Sequence, residues 1–384
     1  MAPKQAQITI IGAGLSGLAL GLGLQSKGIA PVLYERASSQ TRHNYGITLY
    51  PATYRPLLPL VDMDEASFRR SLAVDASQGG AGRLPGDEDG FRCHRGELER
   101  LMRRSLQIWW NKRLQEIQTP QPGSGSRGVT AVFEGGHRHQ TACLIGCDGP
   151  HSRTRLSLLD TKPEVLPYVV FNGRRRMPLD EYRGSSIRQA MGDRVLMRAR
   201  AGDVSLEVSV NDFKASAGDA QEAKAEVSYV YSRPARADDA LLNADRTATG
   251  AREVPEAFYE ELGALLRGAE LEAPFAEMFD VDRVRQDRVL HWLMRTVTPD
   301  AEAAARLAER GVLLIGDAAH AAPIVGGQGA QVAIQDGLEL AEYIASNGVD
   351  DLGPFAASRY EVWKKSVEDS KKRIADLHAG SSHS

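Results

Sequence analysis

Residues 8–17 constrain the fold most, because a short apolar stretch there runs into the spacing Gly-x-Gly-x-x-Gly. In a strand–turn–helix context, Gly12 permits the tight turn, Gly14 lets the backbone approach a pyrophosphate, and Gly17 lets the helix pack closely on the strand. Glu35 ends the next apolar stretch, where a carboxylate accepts hydrogen bonds from ribose hydroxyls. This order predicts a βαβ opening with a dinucleotide site, although a glycine turn without a ligand would show the same glycines.

A second segment, near the C-terminal end, also has the pattern of a ligand site. The apolar residues 311–315 lead to Gly316 and Asp317, and the glycines within 326–329 precede the next helical stretch. Free N–H groups at a helix start favour a negatively charged ligand group, and an acid at a strand end lies where open α/β sheets bind ligands. Asp317 could instead cap the helix that follows it. Together with the N-terminal motif, this segment predicts an extended dinucleotide held at both ends.

A third apolar stretch, residues 142–147, also ends in an acid followed by a glycine, Asp148 and Gly149. A carboxylate in such a place costs free energy unless it has a partner. We therefore expect Asp148 either to face the same ligand or to cap the turn at Gly149 and Pro150.

The pattern of apolar residues predicts two kinds of sheet. Short, continuously apolar strands indicate a buried sheet in the first domain, whereas alternation in the middle of the chain predicts an antiparallel sheet covered on one face. The strands expected in the buried sheet are 7–12, 31–35, 108–114, 142–149 and 312–316. Those expected in the second sheet are 167–176, 186–198, 203–211 and 226–232. Helices are expected at 15–27, 95–106, 255–267, 273–280 and 353–377.

Composition narrows the function classes. At 384 residues, the chain is long enough for two joined domains. Its 47 Lys and Arg nearly balance 50 Asp and Glu, so no basic surface for nucleic acid is indicated. No apolar run is long enough to span a membrane, and the N-terminal segment is typical of a strand rather than a signal peptide.

The cysteines indicate a reducing compartment. Cys93, Cys143 and Cys147 have neither the spacing of a zinc site nor that of a disulfide framework, so no metal site is expected. Cys143 and Cys147 lie on one predicted strand, roughly 13 Å apart, which is too far for a bridge. We expect all three to be buried thiols in a cytoplasmic protein.

Three segments together resemble one enzyme family. The glycine motif with Glu35, residues 146–153 (Gly-Cys-Asp-Gly-Pro-His-Ser-Arg) and residues 316–330 match, in order and spacing, the single-component FAD-dependent monooxygenases of the aromatic hydroxylase class. That class includes para-hydroxybenzoate and salicylate hydroxylases. The resemblance implies a Rossmann-like α/β FAD-binding domain with an inserted mixed or antiparallel β-sheet domain for the substrate, followed by a C-terminal helix. The implied division is 1–72, 92–165 and 281–350 for the FAD-binding domain, 73–91 for an excursion toward the substrate domain, 166–280 for the substrate domain, and 351–384 for the helix and tail.

The resemblance also implies roles around the cofactor. Arg95 corresponds to the arginine that reaches the FAD pyrophosphate and ribityl region, and Arg36 follows the ribose-binding acid. Asp148 corresponds to an acid linked to the pyrophosphate and to nicotinamide handling, and Asp317 to the acid on the ribityl chain. Pro323 would line the space above the flavin where oxygen reacts. The helix start beneath the flavin would comprise Gly327, Gln328, Gly329 and Ala330. His320 matches by position, but a packing histidine is an equally simple interpretation.

Substrate recognition is predicted on the first strand of the middle sheet. Many relatives carry an arginine where this chain has Asn172, and its arginines follow at 174–176. Asn172 and Arg174 share one strand face, so we expect Asn172 to bind a polar substrate atom and Arg174 to stabilise an oxyanion or, through a water, to protonate the leaving oxygen. Arg175 and Arg176 would be solvated or structural. A solvated edge that includes all three arginines is the alternative.

The implied activity is that of a monooxygenase with non-covalent FAD. NADH or NADPH would reduce the flavin, O2 would form a C4a-hydroperoxide, and one oxygen atom would hydroxylate or epoxidise a small aromatic or secondary-metabolite substrate. Two alternatives remain: a flavin-dependent reductase or desaturase on the same scaffold, and a non-catalytic FAD-binding protein. The expected partners are a small molecule and O2, with no nucleic acid and no membrane span, and the protein would be a monomer or homodimer.

Overall fold

The computed structural model describes residues 7–40, 44–87, 89–119, 128–214, 223–243, 249–326 and 329–379. The strands within these residues, in chain order, are β1 Ile8–Ile11, β2 Val32–Tyr34, β3 Gly46–Leu49, β4 Phe91–His94, β5 Ile108–Trp109, β6 Leu114–Gln118, β7 Val129–Phe133, β8 Arg138–Thr141, β9 Cys143–Gly146, β10 Glu164–Pro178, β11 Leu196–Ala201, β12 Val204–Lys214, β13 Lys224–Pro234, β14 Arg288–Thr296 and β15 Val312–Leu314.

The α-helices within the same residues are α1 Leu15–Ser26, α2 Pro51–Tyr54, α3 Glu65–Leu72, α4 Arg95–Met102, α5 Arg153–Leu159, α6 Leu179–Gly184, α7 Ser186–Met191, α8 Glu256–Gly268, α9 Ala273–Met278, α10 Val281–Gln286, α11 Ala301–Glu309, α12 Asp317–His320, α13 Gly329–Asn347 and α14 Gly353–His378. Short 3-10 helices cover Arg55–Leu60, Ala76–Gln78, Thr249–Arg252 and Ile324–Gly326.

The first sheet is parallel and has the strand order β15-β9-β1-β2-β5. Its strands are continuously apolar because helices cover the sheet; Ile10 pairs with Leu33 on one side and with Ile145 on the other, and all three are buried. Helices α1 and α13 pack closely, since a Cβ at Gly337 would lie 2.5 Å from the Ser16 carbonyl oxygen. The carboxyl ends of β1, β9 and β15 share one edge, where the predicted site residues follow.

The second sheet is antiparallel, with the strand order β11-β12-β13-β10-β14. One face packs into an apolar core with α8 and α9, in which Phe171, Leu206 and Tyr231 are fully buried. The opposite face carries polar residues and lines a cavity shared with the first domain. These two sheets confirm the predicted α/β fold with an inserted antiparallel sheet.

Most predicted elements are present within a residue or two of their expected bounds, including α8, α9 and α14. The three cysteines are buried free thiols, as predicted. Residues 73–91 reach toward the second sheet, where the Val195 N–H donates to the Arg83 carbonyl at 3.0 Å. No helix in the described part of the chain is long and apolar enough to cross a membrane.

Two of the predicted strands were wrong. Residues 186–198 do not form one strand but contain α7 followed by the start of β11. Residues 108–114 do not form one strand either, because Asn111 adopts a positive φ of 58° between β5 and β6. β14 lies in the segment 281–350 that was assigned to the FAD-binding domain, and it pairs with β10 at the edge of the second sheet. The chain reaches the first sheet again at β15.

Candidate active site

The glycine turn after β1 has the geometry of a dinucleotide loop. Gly12 has a φ of 106°, and a Cβ there would lie 2.5 Å from the Cys147 carbonyl oxygen. A Cβ on Gly17 would lie 2.0 Å from the Gly12 carbonyl oxygen, so both glycines are required by the packing of the protein itself. Gly14 differs, because nothing lies within 4 Å of its Cβ position and the residue lines the cavity. The space beside Gly14 is therefore available to a ligand.

Glu35 is fixed at the end of β2 beside this turn. One of its carboxylate oxygens accepts the Ala13 N–H at 2.9 Å, and the other accepts the Ala37 N–H at 2.7 Å. Each oxygen keeps a second lone pair, so the carboxylate can still accept a ligand hydroxyl. Glu35 and the exposed Arg36 both line the cavity.

Arg95 begins α4 and lines the same cavity. Its Nε donates to Glu99 at 2.9 Å, and its Nη1 donates to the Tyr45 hydroxyl, whose ring it also covers at 5.4 Å. Burial alone would lower the pKa of Arg95, but the Tyr45 and Glu99 groups outweigh it and the pKa is raised. The guanidinium is thus a permanent cation whose direction is set by two neighbours.

The two strand-end acids have different surroundings, although both line the cavity. Asp148 accepts the Ser152 hydroxyl at 2.5 Å and the Thr154 N–H at 3.0 Å, which supports the interpretation that it caps the turn into α5. Asp317 receives no side-chain hydrogen bond from the part of the chain that the structure describes. Burial raises the pKa of both carboxyls. Asp317 therefore has more acceptor capacity left for a ligand than Asp148, each of whose oxygens already accepts one hydrogen bond.

The elements around the expected flavin position lie next to Asp317. Gly329 and Ala330 line the cavity at the start of α13, as does the buried Pro323. A Cβ on Gly329 would lie 3.5 Å from the Asp317 carboxylate, so this helix start and the acid are direct neighbours. Gly327 and Gln328, predicted in the same helix start, lie outside the described residues.

The second sheet forms the opposite wall. Asn172 and Arg174 both line the cavity from β10, as their shared parity predicts. Arg174 is held in place there: its Nη1 lies 2.9 Å from Glu226 Oε1, and its Nη2 donates to the Asn44 carbonyl at 2.9 Å. Glu226 is buried and also lies 2.8 Å from Arg176 Nε.

The remaining arginine of this strand has a structural role. Arg175 points to the opposite face, where it donates to Asp287 at 2.8 Å and to the Met278 carbonyl at 2.9 Å. Asn44, Tyr45 and Glu226 were missed by the sequence analysis. Of these, only Glu226 had a local signal in the sequence, as an acid within the alternating stretch that forms β13.

His320 is a packing residue, the alternative considered from the sequence. Its Nε2 donates to the fully buried Asp336 at 2.7 Å, and its ring stacks on Trp363 at 5.4 Å. These contacts tie α12 to α13 and α14 and leave His320 outside the cavity lining.

The site residues surround one cavity of about 820 Å³. It runs from the glycine turn past Asp317 to the second sheet, and its size is within the usual range for a cofactor site. The open space at Gly14 suits the pyrophosphate of a dinucleotide, and the Asp317 carboxylate, which accepts no hydrogen bond from the described residues, suits its hydroxyl groups. No group of three or more His, Cys, Asp or Glu in the described ranges is placed to hold a metal ion. The residues present therefore fit FAD.

Comparisons with known proteins agree with this fit. The sequence model of the FAD binding domain family matches residues 277–348. FAD-dependent monooxygenase nscC of Neosartorya fischeri is 30% identical, and the match covers 97% of this chain and 95% of that protein.

Solved structures share the fold. The 2,6-dihydroxypyridine-3-hydroxylase of Arthrobacter nicotinovorans has a TM-score of 0.72 at 18% identity, covering 98% of this chain and 94% of that chain. HpxO of Klebsiella pneumoniae, solved with FAD and uric acid, has a TM-score of 0.68 at 20% identity. The match covers 98% of this chain and 90% of that chain. With a full-length relative at 30% identity and a cavity built for a dinucleotide, the chain belongs to the family of FAD-dependent monooxygenases.

Proposed function

We propose that this chain binds FAD non-covalently and uses NADH or NADPH and O2 to insert one oxygen atom into a small aromatic or secondary-metabolite substrate. The insertion would be a hydroxylation or an epoxidation, with a flavin C4a-hydroperoxide as the oxygen donor. One observation carries the proposal: the continuous cavity joins the dinucleotide features of the first domain to the polar wall of the second sheet. The cofactor supplies the redox chemistry, and the protein binds, orients and excludes water.

The cofactor would extend along the first domain. Gly14 and the start of α1 would meet the pyrophosphate, with Arg95 as the balancing cation. Glu35 would accept the ribose hydroxyls, and Asp317 the ribityl hydroxyls. The start of α13 would then lie under the flavin ring, where its N–H groups and dipole favour negative charge on the reduced cofactor.

Non-covalent binding is supported by the chemistry of Cys147, the cysteine that lines the cavity. Burial raises the pKa of its thiol well above the usual value, so the thiolate needed for attachment is disfavoured. Denaturation should therefore release free FAD, and flavin that stays with the precipitated chain would contradict this part of the proposal.

The substrate would lie between Pro323 and the second sheet. Asn172 offers an amide and Arg174 a fixed cation, and both line this part of the cavity. Arg174 uses two of its guanidinium nitrogens for Glu226 and Asn44, which leaves N–H groups for an oxyanion or a bridging water.

The decisive experiment is turnover with labelled oxygen. Compounds that accelerate NADPH or NADH oxidation by the purified yellow protein would be identified first, and turnover would be repeated under 18O2. We expect product that carries one 18O atom. Oxidised or reduced product without label would favour a reductase or desaturase. No ligand-stimulated oxidation with any of a broad set of aromatic compounds would favour a non-catalytic FAD-binding protein.

A further inference from the structure

Arg92 is a cavity residue whose position is fixed by the backbone on both sides. It lies on β4 opposite Thr48 of β3. Its backbone N–H donates to the Gly82 carbonyl at 2.7 Å, and its carbonyl accepts the Val74 N–H at 3.1 Å. The side chain passes Gly46, where a Cβ would lie 2.6 Å from Nε. Gly46 therefore provides the space through which Arg92 reaches the cavity wall.

The charge of Arg92 is not matched by a partner among the described residues. Its hydrogen bonding there is limited to Nη1 and the Thr48 hydroxyl at 3.5 Å, while Nε is buried without an acceptor. Burial lowers the pKa of Arg92 and the Glu207 carboxylate opposes this, but a guanidinium stays protonated at neutral pH. A half-buried cation with a buried, unused Nε donor is costly, and an anionic ligand would reduce that cost.

The acidic side chains nearby do not act as the missing partner of Arg92. Glu207 accepts Arg198 Nε at 2.8 Å and lies 2.7 Å from Arg198 Nη2, so its charge is already matched. Arg174 is likewise matched by Glu226. Arg92 thus differs from these two arginines of the same cavity in having donors without an acid.

The wall around Arg92 indicates the rest of the ligand. Asn211 of β12 accepts the Gly46 N–H at 3.4 Å, beside the Arg92 side chain. It belongs to a cavity wall of hydroxyl and amide side chains from β12 and β13: Ser205, Ser209, Asn211, Ser228 and Ser232. An apolar strip beside them is formed by Val230, Leu290, Trp292 and Leu293. Such a surface suits a flat ring system that bears several hydroxyl or carbonyl groups.

We propose that Arg92 is the specificity-determining residue that binds an anionic oxygen of the substrate, a phenolate, enolate or carboxylate, while the serine-rich wall binds its other oxygens. This inference rests on the proposed function and names the substrate class for the same cavity. A neutral substrate of equal shape would leave the guanidinium without a partner and would bind more weakly.

The test uses a matched pair of probes. 2-Hydroxy-1,4-naphthoquinone is ionised at its enolic oxygen at neutral pH, and its 2-methoxy ether is neutral. Titration calorimetry would measure the affinity of each probe for the FAD-loaded wild type. The same two affinities would be measured for Arg92→Met, Arg92→Lys and Arg83→Gln. Arg83, on the excursion 73–91 that precedes Arg92, is exposed and pairs with Asp193, so its substitution is a charge-matched control away from the cavity.

We expect the wild type and Arg83→Gln to prefer the anion. Arg92→Met should weaken anion binding by about tenfold to a hundredfold with the ether unaffected, and Arg92→Lys should keep part of the preference. The inference would be overturned if Arg92→Met preferred the anion over the ether as strongly as the wild type does. It would also be overturned if the wild type showed no such preference. If Arg92→Met does not retain FAD, Arg92→Gln replaces it in the same comparison.

A second substitution tests whether Arg92 needs the space at Gly46 in order to bind the anion. Gly46→Ala should reduce the anion preference in the wild-type background, because the new methyl group displaces the Arg92 side chain. In the Arg92→Met background, Gly46→Ala should cause no further loss of anion preference. An equal loss in the wild-type and Arg92→Met backgrounds would count against a role for Arg92. The binding measurement needs no turnover, so a failure of oxygen insertion and a failure of anion preference are separate results.

Discussion

At the scale of single residues, Gly14 differs from the other two glycines of its motif, because it leaves space for a ligand and is not required by the packing of the protein. Gly12 and Gly17 are required by the backbone atoms next to them, whereas the Cβ position of Gly14 faces open space in the cavity. Gly14 precedes α1 with a φ of −79°, which any residue can adopt. A side chain there would thus compete with a ligand and not with the fold.

We therefore expect Gly14→Val to purify without FAD but with an unchanged fold. Flavin absorbance per chain should fall nearly to zero, while the circular dichroism spectrum and melting temperature should match those of the flavin-free wild type. Gly12→Ala is the contrasting control: its positive φ and the Cys147 contact should destabilise the flavin-free protein itself. A full complement of FAD in Gly14→Val would show that the motif is only a turn.

At the scale of elements, Asp336 of α13 connects three helices around the C-terminal end of the site. Its fully buried carboxylate accepts hydrogen bonds from four groups: the Gly316 N–H at 2.9 Å, His320 at 2.7 Å, Trp363 at 2.8 Å and Arg359 at 2.8 Å. Burial alone would raise the pKa of Asp336, but His320, Arg359 and Trp363 outweigh it and the pKa is lowered. The start of α12, and with it Asp317, is fixed through this group.

Asp336→Asn should therefore destabilise the protein by about 3–5 kcal/mol, because Arg359 loses its buried charge partner. The sign of the pH dependence follows from the lowered pKa: the stabilisation is present above the unfolded-state pKa of about 4 and is lost as pH falls through the folded-state pKa. Urea unfolding at several pH values should show a smaller loss of stability on acidification in the variant. Glu339→Gln is the control, since that acid is half exposed and also pairs with Arg359. An equal acid response in wild type and Asp336→Asn would contradict this role.

At the scale of elements, the sequence predicts those helices and strands that depend on local residue order. The βαβ opening and the strand-end acids depend on local residue order, and their elements are present as expected. Residues 186–198 were assigned wrongly because Ile187, Met191 and Val195 also have helical spacing, and the Ser185 hydroxyl caps α7 by accepting the Arg188 N–H at 3.2 Å. The surroundings of Arg92 and the partners of Arg174 and Asp336 depend on contacts between distant segments, which no local pattern contains.

At the scale of the whole molecule, Asn44, before β3, is joined to the second sheet beside the cavity. Asn44 donates from its Nδ2 to Glu226 at 3.0 Å and accepts Arg174 at its carbonyl, so Arg174 links both walls of the cavity. Arg176 pairs with the same carboxylate from outside the cavity lining. Side-chain exposure separates the two arginines, at 21% for Arg174 and 58% for Arg176.

This pair allows the proposed role of Arg174 to be tested with a matched control. Arg174→Ala should retain FAD and substrate-stimulated NAD(P)H oxidation but lose product by about tenfold or more, with hydrogen peroxide released instead, because the cation that would assist oxygen transfer is gone. Arg176→Ala removes an equal charge from Glu226 without changing the cavity wall, so its yield of product per NAD(P)H should stay near that of the wild type. Arg175→Ala is less informative, since Arg175 is buried against Asp287 and its loss would destabilise the sheet. Peroxide release that rises equally in the Arg174 and Arg176 variants would mean that the effect runs through Glu226, and normal coupling in both would end the proposal for Arg174.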